Sequence, residues 1–303
     1  MKVLVTGSTG LVGSLLAREL RGAGYTVCRL LRPASSPGIG RSPEGPDVSW
    51  DPVTGELGAA AVSADAVVNL AGASVADGRW TTERKRLLRS SRVDTTRALV
   101  QALAKFDPPP RVLVSASGIG YYGSRGDETL DEQSSAGDDF LSGLAKDWEA
   151  EAFKAEVLGA RVVCVRFGVI LARDRGALPK IARPFQYGVG GSLGSGRHWM
   201  SWVALEDVVA ILRLALENKT IRGPLNVVSP QPVRNADFTS CLARVLHRPA
   251  WFPAPAFALR IVLGEMADAL LLASQRAEPA YLKNLGYPFL QPDLETALRA
   301  ILV

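Results

Sequence analysis

Short apolar runs alternate with longer amphipathic segments over the first two thirds of the chain. The runs are rich in valine and leucine, which is typical of strands buried on both faces of a parallel sheet. They predict strands at residues 3–5, 26–31, 48–50, 66–70, 111–115, 161–167 and 225–228. Helical spacing of apolar residues predicts helices between them, at residues 11–20, 82–104, 138–156 and 205–216. This alternation predicts an α/β fold with a doubly wound parallel sheet.

The regular alternation ends after Leu171. Glycines crowd residues 188–196, and several prolines in residues 249–255 mark a boundary. Further helices are predicted at residues 235–246, 256–273 and 293–302. The predicted organisation is a sheet domain of residues 1–170 with 202–229, and a smaller, mostly helical substrate-side region of residues 171–201 and 230–303.

The composition is that of an ordinary globular protein, with 47% hydrophobic and 21% charged residues. The net charge of +5 is a small excess for 303 residues, and an anionic cofactor and substrate would explain part of it. No motif of interleaved basic and aromatic residues indicates a nucleic-acid partner. Cys28, Cys164 and Cys241 are widely spaced and there are only two histidines, so we predict neither a disulfide framework nor a metal site.

Two features bear on where the protein works. The first predicted strand begins at residue 3, which leaves no room for a signal peptide. The longest apolar stretch, residues 256–273, is interrupted by Arg260, Glu265 and Asp268, so we do not expect it to span a bilayer. We therefore expect a cytoplasmic monomer or homodimer whose partner is a small-molecule substrate, with no membrane partner.

Three glycines follow the first predicted strand at three-residue spacing and precede the first predicted helix. Gly7 would allow a tight turn, Gly10 would let a pyrophosphate approach the backbone, and Gly13 would let the helix pack against the strand. The N–H groups at the start of the helix would hold the phosphate charge. The alternative is a simple strand-to-helix turn, but the strand before it and the helix after it favour a nucleotide site.

The residue after the second strand indicates which dinucleotide binds. An acidic side chain there accepts a hydrogen bond from the ribose 2′-hydroxyl of NAD, whereas arginine suits the 2′-phosphate of NADP. This chain has Arg32 there, with Arg29 nearby and no carboxylate before Glu44. A guanidinium can bind a phosphate with two hydrogen bonds, so we predict NADP as the cofactor. The alternative is a solvated arginine at a strand end, which would be the better interpretation of Arg32 if no glycine turn preceded it.

Three motifs resemble those of the extended short-chain dehydrogenases/reductases. Residues 6–13, Thr-Gly-Ser-Thr-Gly-Leu-Val-Gly, resemble that family's TGxxGxxG cofactor motif. Residues 69–72 look like its strand-four motif, and residues 115–123 look like its strand-five segment. The whole chain resembles an atypical branch of epimerase-like or cell-division-inhibitor-like proteins. The segments that carry this closer resemblance are Arg79-Trp80, Ser91-Arg92, Asp147-Trp148-Glu149, Pro184-Phe185, Gly194-Ser195-Gly196, Trp202 and Ser274-Gln275-Arg276.

The resemblance implies a Rossmann fold, an NADP cofactor and a set of residues around that cofactor. The implied cofactor-binding residues are Gly7, Thr9, Gly10, Leu11, Val12, Gly13, Leu31, Arg32, Leu70, Ala71, Gly72, Arg92 and Ile170. Arg92 stands where extended relatives often carry asparagine. The alternative for Arg92 is a solvated helix face, because the same segment carries Arg84, Lys85, Arg86 and Arg89.

The family's usual catalytic set is a serine with a Tyr-x-x-x-Lys motif, in which the lysine lowers the pKa of the tyrosine. This chain lacks that motif, because Ser142 stands four residues before Lys146. Ser117 matches the catalytic serine, and Tyr121 or Tyr122 could supply the missing phenol. We predict a catalytic set of Ser117, Tyr121 and Lys146. Packing of the two aromatic rings and solvation of Lys146 are the alternatives.

The glycine-rich segment lies where relatives bind their substrate. Glycines admit a close ligand, and a tryptophan can stack on a sugar or a base. The predicted substrate contacts are Tyr122, His198 and Trp202. The alternative is an ordered loop that buries its tryptophan, and a single histidine does not by itself make a catalytic base.

Two functions are compatible with these residues. The first is an NADP(H)-binding, epimerase-like oxidoreductase acting on a small carbonyl or hydroxyl compound or a nucleotide-sugar-like substrate. The second is a non-catalytic NADP(H)-binding regulatory protein. The glycine-rich second region favours the first, whereas the missing Tyr-x-x-x-Lys motif favours the second.

Overall fold

The computed structural model of the protein describes residues 1–32, 47–58 and 63–303. The loop predicted at residues 33–46 lies outside the described residues. The strands are β1 (Lys2–Thr6), β2 (Thr26–Leu31), β3 (Asp47–Ser49), β4 (Ala66–Asn69), β5 (Val112–Gly118), β6 (Thr129–Leu130), β7 (Arg161–Phe167), β8 (Val169–Leu171), β9 (Trp199–Met200), β10 (Trp202–Ala204), β11 (Gly223–Val227), β12 (Val233–Arg234) and β13 (Arg276–Ala277). The helices are α1 (Leu11–Gly22), α2 (Thr82–Arg89), α3 (Thr95–Leu103), α4 (Phe140–Phe153), α5 (Ala177–Gln186), α6 (Leu205–Glu217), α7 (Asn235–Leu246), α8 (Ala256–Leu263), α9 (Ala280–Asn284) and α10 (Leu294–Leu302).

A seven-stranded sheet forms the centre of the described structure, in the order β11-β7-β5-β4-β1-β2-β3. Every neighbouring pair in it is parallel, as the near-continuous apolar runs predict. Val3, Leu4 and Val5 of the central strand have no exposed surface. One buried cluster joins the sheet to α1 and α6, and another joins its opposite face to α3. The doubly wound α/β sheet and its Rossmann strand order are therefore confirmed.

The chain winds outward from the centre of the sheet in two opposite directions. Strand β1 pairs with β2 on one side and with β4 on the other, so the order reverses at β1. Open α/β sheets bind ligands in the crevice at the carboxyl ends of the strands, at such a switch point. The crevice here lies where β1 leads into Gly7 and β4 leads into Leu70.

A further buried cluster is built by elements that follow β7. Trp202, Phe238 and Leu298 pack in it, and they come from β10, α7 and α10. Strand β11 returns to the edge of the central sheet and pairs with β7. The division of the chain into a sheet domain and a substrate-side region stays a prediction.

Several elements differ from the sequence-based expectation. The helix predicted at residues 82–104 contains one π-helical turn, Ser90–Asp94, between α2 and α3. The helix predicted at residues 256–273 is interrupted: α8 ends at Leu263, Gly264 takes a left-handed conformation with φ +64°, and a π-helical turn, Ala267–Leu271, follows. Helix α5 was not predicted from the pattern, because Pro184 lies inside it and proline is a helix-breaking signal.

Among the described residues, no helix is long and apolar enough to cross a membrane. Cys28, Cys164 and Cys241 are all buried with free thiols. The described residues contain no group of three or more histidine, cysteine or acidic side chains that could hold a metal ion. The cytoplasmic location and the oligomeric state stay predictions.

Candidate cofactor and active site

The glycine turn between β1 and α1 is closely packed by backbone. Gly7 has φ +63°, and a Cβ atom on it would lie 2.5 Å from the Leu70 carbonyl oxygen. A Cβ atom on Gly13 would lie 2.3 Å from the Gly7 carbonyl oxygen, so only glycine lets α1 start this close to the turn. The Gly10 N–H donates to the Gly7 carbonyl oxygen at 3.0 Å and closes the turn. Gly7 and Gly13 are therefore required by the fold itself.

Gly10 and Ser8 give the turn its binding capacity. Gly10 is exposed with φ −77°. Within the described ranges, a Cβ atom on Gly10 would meet only the Gly7 carbonyl oxygen within 4 Å, at 3.1 Å. Ser8 is only 3% exposed, and its hydroxyl has no hydrogen-bond partner among the described residues. The first N–H groups of a helix have no intrahelical acceptor. An open backbone surface, free N–H groups and an orphan hydroxyl together fit a phosphate group.

Hydrogen bonds tie the two strands of the switch point together beside this turn. The Thr6 hydroxyl donates to Asn69 Oδ1 at 2.8 Å, and it accepts from the N–H groups of Leu70 and Ala71. Leu70 and Ala71 are thereby held at the rim of the crevice. Ile170 lies in β8 and packs against the same buried cluster as α1 and Leu70.

The remaining residues implied for cofactor binding lie around the same edge of the sheet. Thr9, Leu11 and Val12 belong to the turn and the first turn of α1. Leu31 ends β2, and Arg32 follows it with an exposed side chain. The carboxyl ends of β1, β2 and β4 thus bring these predicted residues to one edge, as parallel pairing requires.

Arg92 projects from the π-helical turn toward the loop after β4. Its Nη2 donates to the Ala73 carbonyl oxygen at 2.8 Å, and its guanidinium lies 5.2 Å from the Trp148 ring centroid. Burial, and next the charge of Arg84, lower the pKa of the guanidinium to about 10, which keeps it protonated at neutral pH. A Cβ atom on Gly72 would lie 3.2 Å from this guanidinium. Arg92 is therefore not part of a solvated helix face; it braces the loop that contains Gly72.

A buried polar network lies at the carboxyl ends of β5 and β7. Arg166 of β7 donates to Glu149 of α4 through Nε and Nη2, both at 2.8 Å. The Ser117 hydroxyl donates to the same carboxylate at 2.6 Å. Arg166 Nη1 also donates at 3.0 Å to the Tyr122 hydroxyl, which in turn donates to Asn226 Oδ1 at 2.7 Å. Because every member has a partner, the network holds its side chains in one arrangement.

The charges of this network stay in place near neutral pH. Burial lowers the pKa of Arg166, but the hydrogen bonds and charge of Glu149 outweigh burial and hold the pKa of this guanidinium above its ordinary value. Burial raises the pKa of the Tyr122 phenol to about 12 against the charge of Arg166. Tyr122 therefore stays protonated and acts as a hydrogen-bond donor within the network, not as a base.

The three predicted catalytic residues have different surroundings. Tyr121 is half-buried, its ring centroid lies 3.5 Å from the Arg166 guanidinium carbon, and its hydroxyl has no partner among the described residues. Ser117 is 5% exposed and gives its only proton to Glu149, so toward a ligand it can accept but not donate. Lys146 is exposed on α4. Of these three residues, Tyr121 is the one that packs against the buried network and keeps a hydroxyl without a partner among the described residues.

Ser142 stands where the Tyr-x-x-x-Lys motif would have its tyrosine. Its hydroxyl donates to the Gly120 carbonyl oxygen at 3.0 Å, beside the segment that carries Tyr121. Asp139 caps α4 by accepting from the Ser142 N–H at 2.8 Å. The position of the missing phenol is thus closed by a short, hydrogen-bonded side chain.

The residues predicted to contact substrate are not gathered on one open surface. Tyr122 and Trp202 have no exposed surface, and the Trp202 indole donates to the Gln231 carbonyl oxygen at 3.0 Å. Neither ring has a face free to stack on a ligand. His198 is half-buried, and burial lowers the pKa of its imidazole, so it is neutral at neutral pH.

The glycine-rich segment serves packing at several of its positions. A Cβ atom on Gly191 would lie 2.1 Å from the Phe252 carbonyl oxygen, and one on Gly190 would overlap the Phe185 ring at 2.4 Å. The Gly194 N–H donates to the Ala254 carbonyl oxygen at 2.8 Å. Close backbone approach, rather than access for a ligand, requires glycine at these positions.

Sequence analysis missed most of the buried network. Glu149 is present in one of the motifs quoted above, but Arg166 and Asn226 stand inside apolar runs that predict only core strands. A charged residue in a strand buried on both faces is itself a signal, since such a charge needs a buried partner. That signal could have found Arg166 without a structure.

We expect Arg166→Met to lower the free energy of unfolding by about 3–5 kcal/mol, because the variant leaves Glu149 buried without its partner. The matched control is Arg260→Met, which removes an exposed ion pair with Asp268 and should change the free energy of unfolding far less than Arg166→Met does. Denaturant unfolding followed by circular dichroism measures both. Equal costs for the two variants would contradict the buried ion pair.

Comparison with known proteins identifies the family of the chain. Residues 3–227 match the NAD dependent epimerase/dehydratase family, and residues 254–301 match the Domain of unknown function (DUF1731). The chain is 41% identical over 299 residues to the epimerase family protein Mb2239 of Mycobacterium bovis, which covers 98% of this chain and 96% of that relative.

Two solved structures resemble the protein over its whole length. The crystal structure of human epimerase family protein SDR39U1 (isoform 2) with NADPH has a TM-score of 0.86 and 33% identity, and the match covers 99% of both chains. The nucleoside-diphosphate sugar epimerase from Corynebacterium glutamicum has a TM-score of 0.80 and 34% identity, covering 100% of this chain and 58% of that one. The chain therefore belongs to the NAD-dependent epimerase/dehydratase family.

Proposed function

We propose that the protein is an NADP(H)-binding, epimerase-like oxidoreductase that acts on a small carbonyl or hydroxyl compound. The observation that carries the proposal is the glycine turn at the switch point, where Gly10 leaves the backbone open and the buried Ser8 hydroxyl lacks a partner among the described residues. A pyrophosphate at this turn would accept from the Ser8 hydroxyl and from the first N–H groups of α1. The human relative crystallised with NADPH supports the same cofactor class.

Arg32 is the proposed determinant for NADP over NAD. It follows β2 with an exposed side chain, at the strand end where dinucleotide folds bind the adenosine ribose. A guanidinium there can form two charge-assisted hydrogen bonds with a 2′-phosphate, which NAD lacks. The remaining residues of the site bind parts that both dinucleotides share.

The proposed chemistry couples a hydride exchange, which the nicotinamide supplies when bound, to a proton exchange at the substrate oxygen. Tyr121 is the proposed proton-transfer residue, because its hydroxyl has no partner among the described residues and its ring is held against Arg166. Ser117 would accept a hydrogen bond from the substrate or the cofactor while Glu149 holds its proton. Lys146 would add positive charge from the exposed face of α4.

The relatives support two proposed substrate classes. The Corynebacterium relative is described as a nucleoside-diphosphate sugar epimerase, so a nucleotide-sugar-like compound is one proposed substrate. A smaller carbonyl or hydroxyl compound is the other. Tyr122 and Trp202 are left out of the proposed substrate surface because both are fully buried.

A non-catalytic NADP(H)-binding regulatory protein is the second candidate function. The observation that favours it is Ser142, which replaces the tyrosine of the Tyr-x-x-x-Lys motif and is bonded to the Gly120 carbonyl oxygen. Such a protein would keep the cofactor site and show no turnover. NADPH binding is expected for both functions, whereas catalytic turnover is expected only for the oxidoreductase.

We expect NADPH to bind about tenfold more tightly than NADH, or more, because Arg32 would bind the 2′-phosphate that NADH lacks. A tenfold ratio corresponds to about 1.4 kcal/mol. Arg32→Asp should remove this preference by placing a carboxylate against the phosphate. Arg222→Asp is the control, because Arg222 is an exposed arginine immediately before β11, at the opposite edge of the sheet. Fluorescence titration of both nucleotides measures the ratio. Equal affinities for NADPH and NADH in the wild type would contradict the assignment of NADP as the cofactor.

A further inference from the structure

The segment that follows β8 turns back onto the glycine turn. Arg175 Nη1 donates to the Thr9 carbonyl oxygen at 3.3 Å. A Cβ atom on the next residue, Gly176, would lie 3.0 Å from Leu11 Cδ2 at the start of α1. Arg175 therefore contacts the turn that connects β1 to α1, and Gly176 lies beside the first residue of α1.

Helix α5 carries the same segment to the other side of the crevice. Lys180 forms an ion pair with Asp77 at 2.9 Å, and Asp77 lies in the loop after β4. The segment is thereby anchored at the glycine turn by Arg175 and at the β4 loop by Lys180. These two anchors lie on either side of the switch point where the chain reverses its winding.

Arg175 has unused capacity to bind an anion. Its side chain is exposed, and within the described ranges it has no acidic partner and one hydrogen bond, to Thr9. A guanidinium carries five N–H donors in a planar fork that matches phosphate oxygens. The buried Ser8 hydroxyl in the same turn also lacks a partner among the described residues. A single anionic group in this turn would satisfy both side chains.

We propose that Arg175 binds the diphosphate bridge of the dinucleotide from the side opposite the start of α1. This inference rests on the proposed function, and it assigns the diphosphate and the 2′-phosphate to two different arginines, Arg175 and Arg32. The helix start contributes N–H groups and Arg175 contributes a full positive charge. The diphosphate would then be held between α1 and the segment that leads into α5.

The test compares Arg175→Gln with Arg173→Gln. Both variants lose one positive charge from the same segment, but Arg173 donates to the Ile301 carbonyl oxygen of α10 and not to the glycine turn. We expect Arg175→Gln to weaken NADPH binding about tenfold or more, as the loss of charge-assisted hydrogen bonds would. Arg173→Gln should bind NADPH like the wild type. Equal affinities of the two variants would overturn the assignment.

Adenosine 2′-monophosphate separates this inference from the proposed function. It carries the 2′-phosphate but no diphosphate, so its affinity should fall in Arg32→Asp and stay unchanged in Arg175→Gln. A parallel loss of adenosine 2′-monophosphate affinity in Arg175→Gln would overturn the diphosphate contact. Wild-type protein that fails to bind NADPH would overturn the proposed function, whereas tight NADPH binding that is indifferent to Arg175 would overturn this inference alone.

Discussion

Gly10→Val is expected to abolish nucleotide binding while leaving the protein folded. Gly10 has φ −77°, which valine can adopt, and among the described residues its Cβ would meet only the Gly7 carbonyl oxygen within 4 Å. The rest of the side chain would occupy the open space where a pyrophosphate must approach the backbone. Circular dichroism and NADPH titration on the same sample measure the two properties together.

Two further glycine variants test whether the loss of nucleotide binding is specific to position 10. Gly22→Val introduces the same side chain at the other end of α1, where a Cβ meets none of the described residues within 4 Å, and should keep NADPH affinity. Gly7→Val should lose the fold as well, because its Cβ would lie 2.5 Å from a carbonyl oxygen at a positive φ. Retained NADPH affinity in Gly10→Val would mean that the turn is structural only.

Tyr121→Phe is expected to slow any turnover by about 10²–10⁴-fold, the range that a positioned acid–base group contributes. The variant keeps the ring against Arg166 and removes only the hydroxyl, so the network of Glu149 and Tyr122 stays intact. The measurement is NADPH oxidation across a panel of carbonyl compounds. Ser117→Ala and Lys146→Met should also lower the rate if both assist the same step.

The matched control for Tyr121→Phe is Tyr25→Phe. Tyr25 donates to Glu217 and lies just before β2, at the amino edge of the sheet, so its loss should not change turnover. If Tyr121→Phe left the rate unchanged while substitution of another residue abolished it, the assignment of Tyr121 as the proton-transfer residue would be refuted. Tight NADPH binding with no turnover on any compound would favour the regulatory protein.

Local patterns were enough to predict the sheet and the glycine turn. The run Val3–Val5 is buried on both faces, and the spacing of Gly7, Gly10 and Gly13 marks one strand–turn–helix unit. Helix α7 begins and ends as predicted, at Asn235 and Leu246. In each case the pattern lies within a short stretch of sequence, so it can be recognised without knowing the long-range contacts of the fold.

Contacts between distant parts of the chain could not be predicted in the same way. Tyr122 and Asn226 are 104 residues apart, and only the fold brings them together. Trp202 was interpreted as a ligand contact because it follows a glycine-rich segment, whereas packing against α7 and α10 buries it completely. Residue type indicates what a side chain can do, and burial decides whether a ligand can reach it.

The most direct test of the account is a crystal structure of the wild-type protein grown with NADPH. The account predicts the diphosphate against Gly10 and the start of α1, with the 2′-phosphate within hydrogen-bond distance of Arg32. The nicotinamide should lie on the side of β5, near Tyr121. A nucleotide bound away from the glycine turn, or a 2′-phosphate facing solvent without contact to Arg32, would contradict the account.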